Sequence, residues 1–116
     1  MQSNAVNRHI ISLAAALVLG LCSLGPSAAC ARKPVSYTVT VDASRFEPGS
    51  LTVAPGDVVI WINKDIIPHT ATSPSGAFDS GELPLGQSWT YRPKETGEFA
   101  YVCAFHPTMK AVLRVK

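Results

Sequence analysis

The chain has 116 residues, of which 10 are Lys or Arg and 8 are Asp or Glu, so its formal net charge is +2. This length leaves room for a single domain. Nucleic acids and anionic membranes attract strongly basic surfaces, and so small a net charge does not indicate either partner. We therefore expect no nucleic-acid binding and no charge-driven membrane binding.

The N-terminal residues 1–31 have the pattern of a secretory signal peptide. A single arginine precedes an apolar run at residues 10–21, and the small residues Ala29 and Ala31 fit a cleavage site. The run is too short to span a bilayer, so we expect no membrane span and favour a cleaved signal over the alternative of an uncleaved anchor. We predict that cleavage leaves residues 32–116 as the mature domain, in the periplasm or otherwise exported.

The number and positions of the cysteines limit the roles that a thiol can have in the mature domain. If cleavage follows Ala31, the mature chain keeps only Cys103, because Cys22 and Cys30 lie in the predicted signal peptide. A lone thiol in an oxidising compartment cannot form an internal disulfide, so it is either an ordinary buried cysteine or a metal ligand. Cys30 could instead carry a lipid anchor, although Ser27 stands where a bulky aliphatic residue is usual.

The mature chain has the pattern of a series of short strands. Residues 37–42 alternate apolar and polar side chains, which is typical of a half-buried strand. The run at 57–63 is apolar on both faces and predicts a central strand covered on two sides. Turn signals such as Pro55-Gly56 separate further strand-like runs at 51–54, 87–92, 97–103 and 110–116. With no sustained helical periodicity, seven or eight short strands indicate an all-β sandwich or barrel.

Three potential metal ligands recur at every third position near the end of the chain: Cys103, His106 and Met109. Thiolate, imidazole and thioether form a soft donor set. With a second histidine they match the trigonal His₂Cys site with a weak axial Met that holds electron-transfer copper. His69 supplies that histidine, because His9 lies in the predicted signal peptide. The predicted metal ligands are therefore His69, Cys103 and His106 in the plane and Met109 in the axial position.

Each of these residues also has an ordinary explanation when it is considered alone. His69 follows a proline in a loop and would usually be solvated or cap that loop. Met109 alone would usually fill a core, and His106-Pro107 alone would form a turn. The shared spacing, the single thiol and the supply of just two histidines together favour one metal site.

The order of the motifs resembles that of the cupredoxin family of small blue copper proteins, which includes plastocyanin and azurin. The match extends over about residues 35–116 and comprises Phe46 with Pro48, Leu51-Thr52-Val53, Pro55-Gly56-Asp57, Trp61 to Asp65, Pro68-His69-Thr70, Phe78-Asp79-Ser80-Gly81, Gly97 to Cys103 and His106 to Met109. The short Cys-x-x-His-x-x-Met loop is most similar to that of the amicyanins. The resemblance implies a Greek-key β-sandwich that binds one copper ion as Cu(I) or Cu(II).

The resemblance also implies a function. Four protein ligands leave no open position for a substrate, so we expect an electron carrier and not an enzyme. His106 would be the electron port, and we expect a monomer whose partners are redox proteins such as c-type cytochromes or a dehydrogenase, bound transiently. The docking surface would be an apolar patch formed by Ile67, Pro68, Phe105, Pro107 and Met109, although Ile67 and Phe105 could equally point into the core.

By the same resemblance, Asn63, Asp65 and Thr70 are candidates for tying the His69 loop to the Cys103 loop, although Asn63 and Asp65 could equally cap a turn. Two other functions stay open. A copper carrier or sequestering protein would use the same scaffold but release its metal readily. A zinc module fits less well, because Met is a poor zinc ligand. A c-type haem needs a Cys-x-x-Cys-His motif that the sequence lacks.

Overall fold

The computed structural model describes residues 32–116, so the predicted signal peptide lies outside the described residues. Within this range no helix is long and apolar enough to cross a membrane. The predicted all-β fold is confirmed, because the described range is built from seven strands: β1 (Ser36–Asp42), β2 (Arg45–Glu47), β3 (Ser50–Val53), β4 (Val58–Asn63), β5 (Ser88–Tyr91), β6 (Gly97–Val102) and β7 (Lys110–Val115).

The strands form two sheets. One sheet has the order β2-β1-β4-β5 and the other has the order β3-β7-β6. β1 runs parallel to β4, and β3 runs parallel to β7, whereas the remaining neighbours are antiparallel. Parallel neighbours need a crossover connection. The chain accordingly changes sheet after β2, after β3 and after β5, and the two sheets form the layers of a sandwich.

The core contains one side-chain face of each sheet. Val39 and Val41 of β1 are buried, as the alternation in the sequence predicted. Trp61 of β4 is fully buried, and its ring centroid lies 5.5 Å from that of Phe78 and 5.6 Å from that of Tyr101. Burial of such large apolar side chains is the main favourable term in folding.

Strand β4 is central in its sheet, and its two faces are buried to different extents. Val59, Trp61 and Asn63 are buried on the core face, whereas on the opposite face Val58 is buried and Ile60 and Ile62 are half-buried. The prediction of a central strand is confirmed by the strand order. The second face is covered in part, since much of the accessible surface of a folded protein remains apolar and isoleucine can stay partly exposed there.

Strand β2 was missing from the sequence-based prediction. It has three residues, of which only Phe46 is buried, and that is too short to show a period. The preceding turn places Ala43 and Ser44 at φ values of 49° and 55°, a left-handed conformation that usually takes Asn or Gly. The carboxylate of Asp65 accepts the N–H of Ser44 at 3.0 Å. A contact from a distant loop therefore stabilises a turn that the local sequence does not favour.

Asp57 anchors the first described residues to the sandwich. Its side chain is buried, accepts the N–H groups of Val35 at 3.0 Å and Ala54 at 2.9 Å, and pairs with the guanidinium of Arg32 at 2.6 Å. The N–H groups of Val35 and Ala54 lower the pKa of Asp57 most and the guanidinium lowers it further. Burial opposes them, and the net pKa is about 2.

The low pKa of Asp57 predicts a loss of stability in acid. The folded-state pKa lies below the unfolded value of about 3.9, so the stabilisation is complete above about pH 4 and is lost as pH falls towards about 2. Asp57→Asn should be less stable than wild type at neutral pH and should lose less stability across that window, as measured by urea unfolding.

The matched control is Glu98→Gln, which removes an exposed ion pair with Arg114. It should leave the acid profile unchanged, because exposed pairs contribute little. Equal acid losses in Asp57→Asn and wild type would contradict the role assigned to Asp57.

Candidate metal centre

The structure brings three of the four predicted ligands together. Cys103 Sγ lies 3.7 Å from His69 Nδ1 and 3.9 Å from His106 Nδ1. The three donor atoms all lie within 4.8 Å of one another. Bonds of about 2.0 Å to nitrogen and about 2.3 Å to sulfur, as in zinc sites, separate two ligands of one ion by about 3.5 to 3.7 Å at angles of about 110° to 120°. The sulfur-to-nitrogen distances therefore suit a shared metal ion.

Met109, the fourth predicted ligand, is buried at the end of the loop that contains Cys103 and His106. The N–H of Met109 donates to the carbonyl of His106 at 2.9 Å, and the carbonyl of Met109 accepts the N–H of Cys103 at 3.2 Å. The N–H of His106 in turn donates to the carbonyl of Cys103 at 3.2 Å. These bonds close the loop so that its two ends meet beside each other. The axial role of Met109 stays a prediction.

The segment that carries His69 pairs with Leu83 in the same long loop and with the end of β6. His69 and Leu83 exchange backbone hydrogen bonds of 3.1 and 2.8 Å. Thr72 and Val102 exchange two bonds of 2.9 Å, which joins this segment to the end of β6. Cys103 follows Val102 directly, so this antiparallel pairing brings the backbone before Thr72 alongside Cys103. Sequence reasoning missed Thr72, and its only signal was the polar alternation after His69.

Thr70 joins the two ligand loops, as predicted. Its N–H donates to Cys103 Sγ at 3.4 Å, and its Oγ1 accepts the N–H of Ala104 at 2.8 Å. Thr70 and its bond to Cys103 Sγ are buried, whereas the bond to the exposed Ala104 is partly buried. A hydrogen bond to a ligand sulfur adjusts the electron density on that sulfur and thereby the properties of a bound metal.

Asp65 orients the ring of His69. Its Oδ2 lies 3.0 Å from His69 Nε2, and an ionised carboxylate can only accept, so Nε2 carries the proton and Nδ1 presents its lone pair towards Cys103. The pKa of Asp65 is lowered first by the bond to His69 and then by the N–H of Ser44. Metal-binding histidines commonly have such a carboxylate partner. Of the two roles considered for Asp65, the structure shows the turn cap, because its Oδ1 accepts the N–H of Ile66 at 2.8 Å. Its Oδ2 bonds His69, and it makes no hydrogen bond to the second ligand loop within the described residues.

Asn63 is fully buried and organises the loop before His69. Its Nδ2 donates to the carbonyls of Ile67 and Leu83, both at 2.8 Å, and its Oδ1 accepts the N–H of Asp65 at 2.8 Å. All three bonds lie on the His69 side of the site. Of the two roles considered for Asn63, the structure shows the turn cap and not the tie to the second ligand loop. Asn63 thereby fixes the loop that places Asp65 next to His69.

The thiol of Cys103 is fully buried, yet its pKa is low. Burial by itself raises the pKa of Cys103, but the N–H of Thr70 and then the imidazoles of His106 and His69 lower it more, to about 6. The thiolate, which is the metal-binding form, therefore dominates at neutral pH. One thiolate and two imidazoles, with a thioether at the end of the same loop, are a donor set that fits copper.

His106 differs from the other predicted ligands in being exposed. Two apolar side chains close to the histidine positions in sequence are also exposed to solvent: Phe105 is 51% exposed and Ile67 is 38% exposed. Met109 is only 5% exposed, so its inclusion in the predicted surface patch is wrong. Two further apolar residues of the loop between β4 and β5 are strongly exposed, Ile66 at 85% and Leu85 at 56%. We call the exposed residues Ile66, Ile67, Pro68, Leu85, Phe105 and Pro107 the apolar rim.

Comparison with known proteins places this geometry in a family. The family model described as a cupredoxin-like domain matches residues 11–115. The chain belongs to the cupredoxin family. The match begins within the predicted signal peptide, and the boundary between residues 31 and 32 stays a prediction.

Amicyanins are among the most similar relatives. The chain is 28% identical over 99 residues to the amicyanin of Paracoccus denitrificans, covering 81% of this chain and 76% of that protein. It is 24% identical over 86 residues to the amicyanin of Paracoccus versutus, covering 70% of this chain and 65% of the relative. The predicted resemblance to amicyanins is confirmed.

Solved structures agree with this placement. The reduced state of an amicyanin mutant superposes with a TM-score of 0.66 at 27% identity, covering 82% of this chain and 95% of that chain. A Cu-containing nitrite reductase from Thermus scotoductus superposes with a TM-score of 0.67 at 26% identity, covering 73% of this chain. The match spans only 23% of the reductase, so it corresponds to one part of a larger protein.

Asn63→Ala should destabilise the domain by about 2 to 4 kcal/mol, because it breaks three hydrogen bonds and leaves buried backbone groups unpaired. Guanidinium unfolding of the metal-free protein measures this change. The control is Lys64→Ala, which alters the exposed neighbouring side chain and should change stability by no more than about 0.5 kcal/mol. A loss below about 1 kcal/mol in Asn63→Ala would show that its bonds do not hold the loop.

Proposed function

We propose that this cupredoxin is an exported blue copper protein that carries single electrons between redox partners. His69, Cys103, His106 and Met109 would hold one copper ion. The proposal is carried by the convergence of Cys103 Sγ and the two imidazole Nδ1 atoms within 4.8 Å of one another. Copper in such a donor set supplies one-electron exchange between Cu(I) and Cu(II).

The protein prepares the donors for this role. Asp65 fixes the proton of His69 on Nε2, and Thr70 holds the thiolate of Cys103 through its N–H. Donors that are already fixed need little rearrangement when the charge at their centre changes, and a preorganised site therefore favours rapid electron exchange. The chain contributes position, protonation state and exclusion of water, while the metal contributes the redox change.

The filled ligand set favours an electron carrier over an enzyme. Catalytic metal sites keep a position open for water or substrate, and here four side chains of the protein are available. Burial also distinguishes a redox shuttle from a copper carrier, the alternative function. His69, Cys103 and Met109 are buried, so copper should leave slowly. Rapid loss of copper to a chelator would favour the carrier instead.

The apolar rim supports transient docking near His106. Phe105 and Ile67 flank the two histidine positions in sequence and are both exposed, so a partner could contact them while facing the imidazole of His106. Weak electron-transfer complexes bury little surface, and a few apolar side chains suffice for them. Suitable partners are redox proteins such as c-type cytochromes or a dehydrogenase.

Export to the periplasm is supported by the leader pattern of residues 1–31 and by the lone thiol in the domain that follows. Mass spectrometry of the native N-terminus tests this part of the proposal. A chain that begins at Arg32 would support cleavage after Ala31, whereas a lipid on Cys30 would support an anchored form.

Copper loading should give an intense blue colour, because the thiolate of Cys103 transfers charge to Cu(II). Cys103→Ser should abolish the colour, since a hydroxyl does not replace the thiolate in this transition. The matched control, Thr108→Ala, changes an exposed residue of the same loop and should remain blue. A colourless Cu(II) complex of the wild-type protein, or a blue Cys103→Ser variant, would refute the proposed site.

Phe105→Ala should slow electron transfer to a protein partner about fivefold or more, the effect of losing about 1 kcal/mol of docking energy. Stopped-flow mixing with a c-type cytochrome measures the rate, and the rate with a small inorganic reductant should not change. The control is Val35→Ala, which removes another exposed apolar side chain. The carbonyl of Val35 accepts the N–H of Val58, so Val35 lies at the opposite end of β4 from Asn63. Equal rates in both variants would argue against docking at the apolar rim.

A further inference from the structure

A line of hydrogen bonds leads from the second ligand loop to an exposed carboxylate. The N–H of Ala104 donates to Thr70 Oγ1 at 2.8 Å, and Thr70 Oγ1 lies 2.8 Å from Thr72 Oγ1. Thr72 Oγ1 then donates to Asp79 Oδ1 at 3.1 Å. Asp79 belongs to the Phe78-Asp79-Ser80-Gly81 motif, which has no role in the function proposed above.

The two ends of this line fix the direction of every bond within it. A backbone N–H can only donate, and an ionised carboxylate can only accept. The hydroxyl of Thr72 therefore donates its single proton to Asp79. It can then only accept from Thr70, so the hydroxyl of Thr70 must donate to Thr72. Thr70 Oγ1 consequently keeps a lone pair turned towards the N–H of Ala104. Hydrogen bonds that end on a charged group are stronger, and successive bonds polarise one another.

Asp79 is held in place even though it is exposed. Its Oδ1 also accepts the N–H of Gly81 at 2.9 Å, and its backbone bridges to Thr72. Next to it, Ser80 Oγ accepts the N–H of Ala71 at 2.8 Å, and the N–H of Ser80 donates to the carbonyl of Ala71 at 3.0 Å. The carboxylate therefore meets Thr72 in a defined position, unlike an ordinary surface side chain.

We propose that Asp79 and Thr72 are positioning residues for the metal centre and act on it through Thr70. By fixing the proton of each hydroxyl, they keep Thr70 bound to Ala104, the residue directly after Cys103. The same contact keeps the N–H of Thr70 on Cys103 Sγ at 3.4 Å. The effect on redox properties rests on the proposed function, whereas the effect on the Ala104 hydrogen bond does not.

The hydrogen bond of Ala104 can be measured directly by amide hydrogen exchange in the full protein, both copper-free and loaded with Cu(I). We call the line of hydrogen bonds from Asp79 through Thr72 and Thr70 to Ala104 the relay. Thr72→Val removes one of its hydroxyl groups and should speed exchange at Ala104 roughly fivefold, the factor expected for one net hydrogen bond. Thr72→Ser keeps the hydroxyl and should match wild type. The exchange rate of Val39, in the core strand β1, is the internal reference, because general destabilisation would speed both amides.

Variants at Asp79 test the far end of the relay. Asp79→Ala removes the acceptor and should speed Ala104 exchange about as much as Thr72→Val does, and the double variant should be no faster than either, because the three residues act in series. Asp79→Asn keeps an oxygen acceptor without the charge and should give an intermediate rate. The control Glu82→Gln neutralises an exposed carboxylate three residues away and should have no effect.

The reduction potential of the copper-loaded protein provides the second readout. Weakening the bond from the Thr70 N–H leaves more electron density on the thiolate, which favours Cu(II). The potential should therefore fall in Thr72→Val, stay unchanged in Thr72→Ser, and be lower in Asp79→Ala than in Glu82→Gln, which loses the same charge.

Unchanged exchange at Ala104 in Thr72→Val, or equal acceleration in Thr72→Ser, would overturn the relay. Acceleration in Thr72→Val without acceleration in Asp79→Ala would overturn the role of Asp79. Potentials that do not follow the exchange rates would overturn the link to the metal centre. Failure of the wild-type protein to bind copper would refute the proposed function instead, and the exchange measurements on copper-free protein would still decide the structural part.

Discussion

The contact between Thr70 and the loop that begins at Cys103 is the interaction on which the metal centre depends. The two segments are more than 30 residues apart in the chain, and they meet because Thr70 donates its N–H to the thiol and accepts the N–H of Ala104. A buried thiolate is unfavourable unless donors surround it, and this contact supplies one donor while bringing His69 within reach. The pairing of Thr72 with Val102 extends the same contact into β6.

The fold buries some of the predicted metal ligands and leaves one exposed, a difference that suits the proposed electron transfer. Cys103 and His69 are fully buried, whereas His106 is exposed and lies between Phe105 and Pro107 of the rim in sequence. Water is kept from the sulfur, and one imidazole edge remains open to a partner. This arrangement follows from loop closure, because the backbone bonds among Cys103, His106 and Met109 return the chain to its starting point within seven residues.

Two carboxylates act on the site from outside its ligand set. Asp65 bonds the ring of His69, and Asp79 ends the hydrogen-bond line that reaches Ala104. Both are acceptors only, so each determines where a proton lies on the neutral groups between itself and the donor atoms. Charge at the edge of the fold thereby sets the orientation of uncharged groups inside it.

The sequence by itself determined the chemical identity of the site and the outline of the fold. The three-residue spacing of Cys103, His106 and Met109 and the period-two alternation of the strands are local patterns. Such patterns can be recognised from a single sequence. Only the tertiary structure decided which polar residues support which ligand, that Met109 is buried while Ile66 is exposed, and that a short strand β2 exists. Those outcomes depend on contacts between segments far apart in sequence, such as Asp65 with Ser44, and no local period encodes which distant groups will meet.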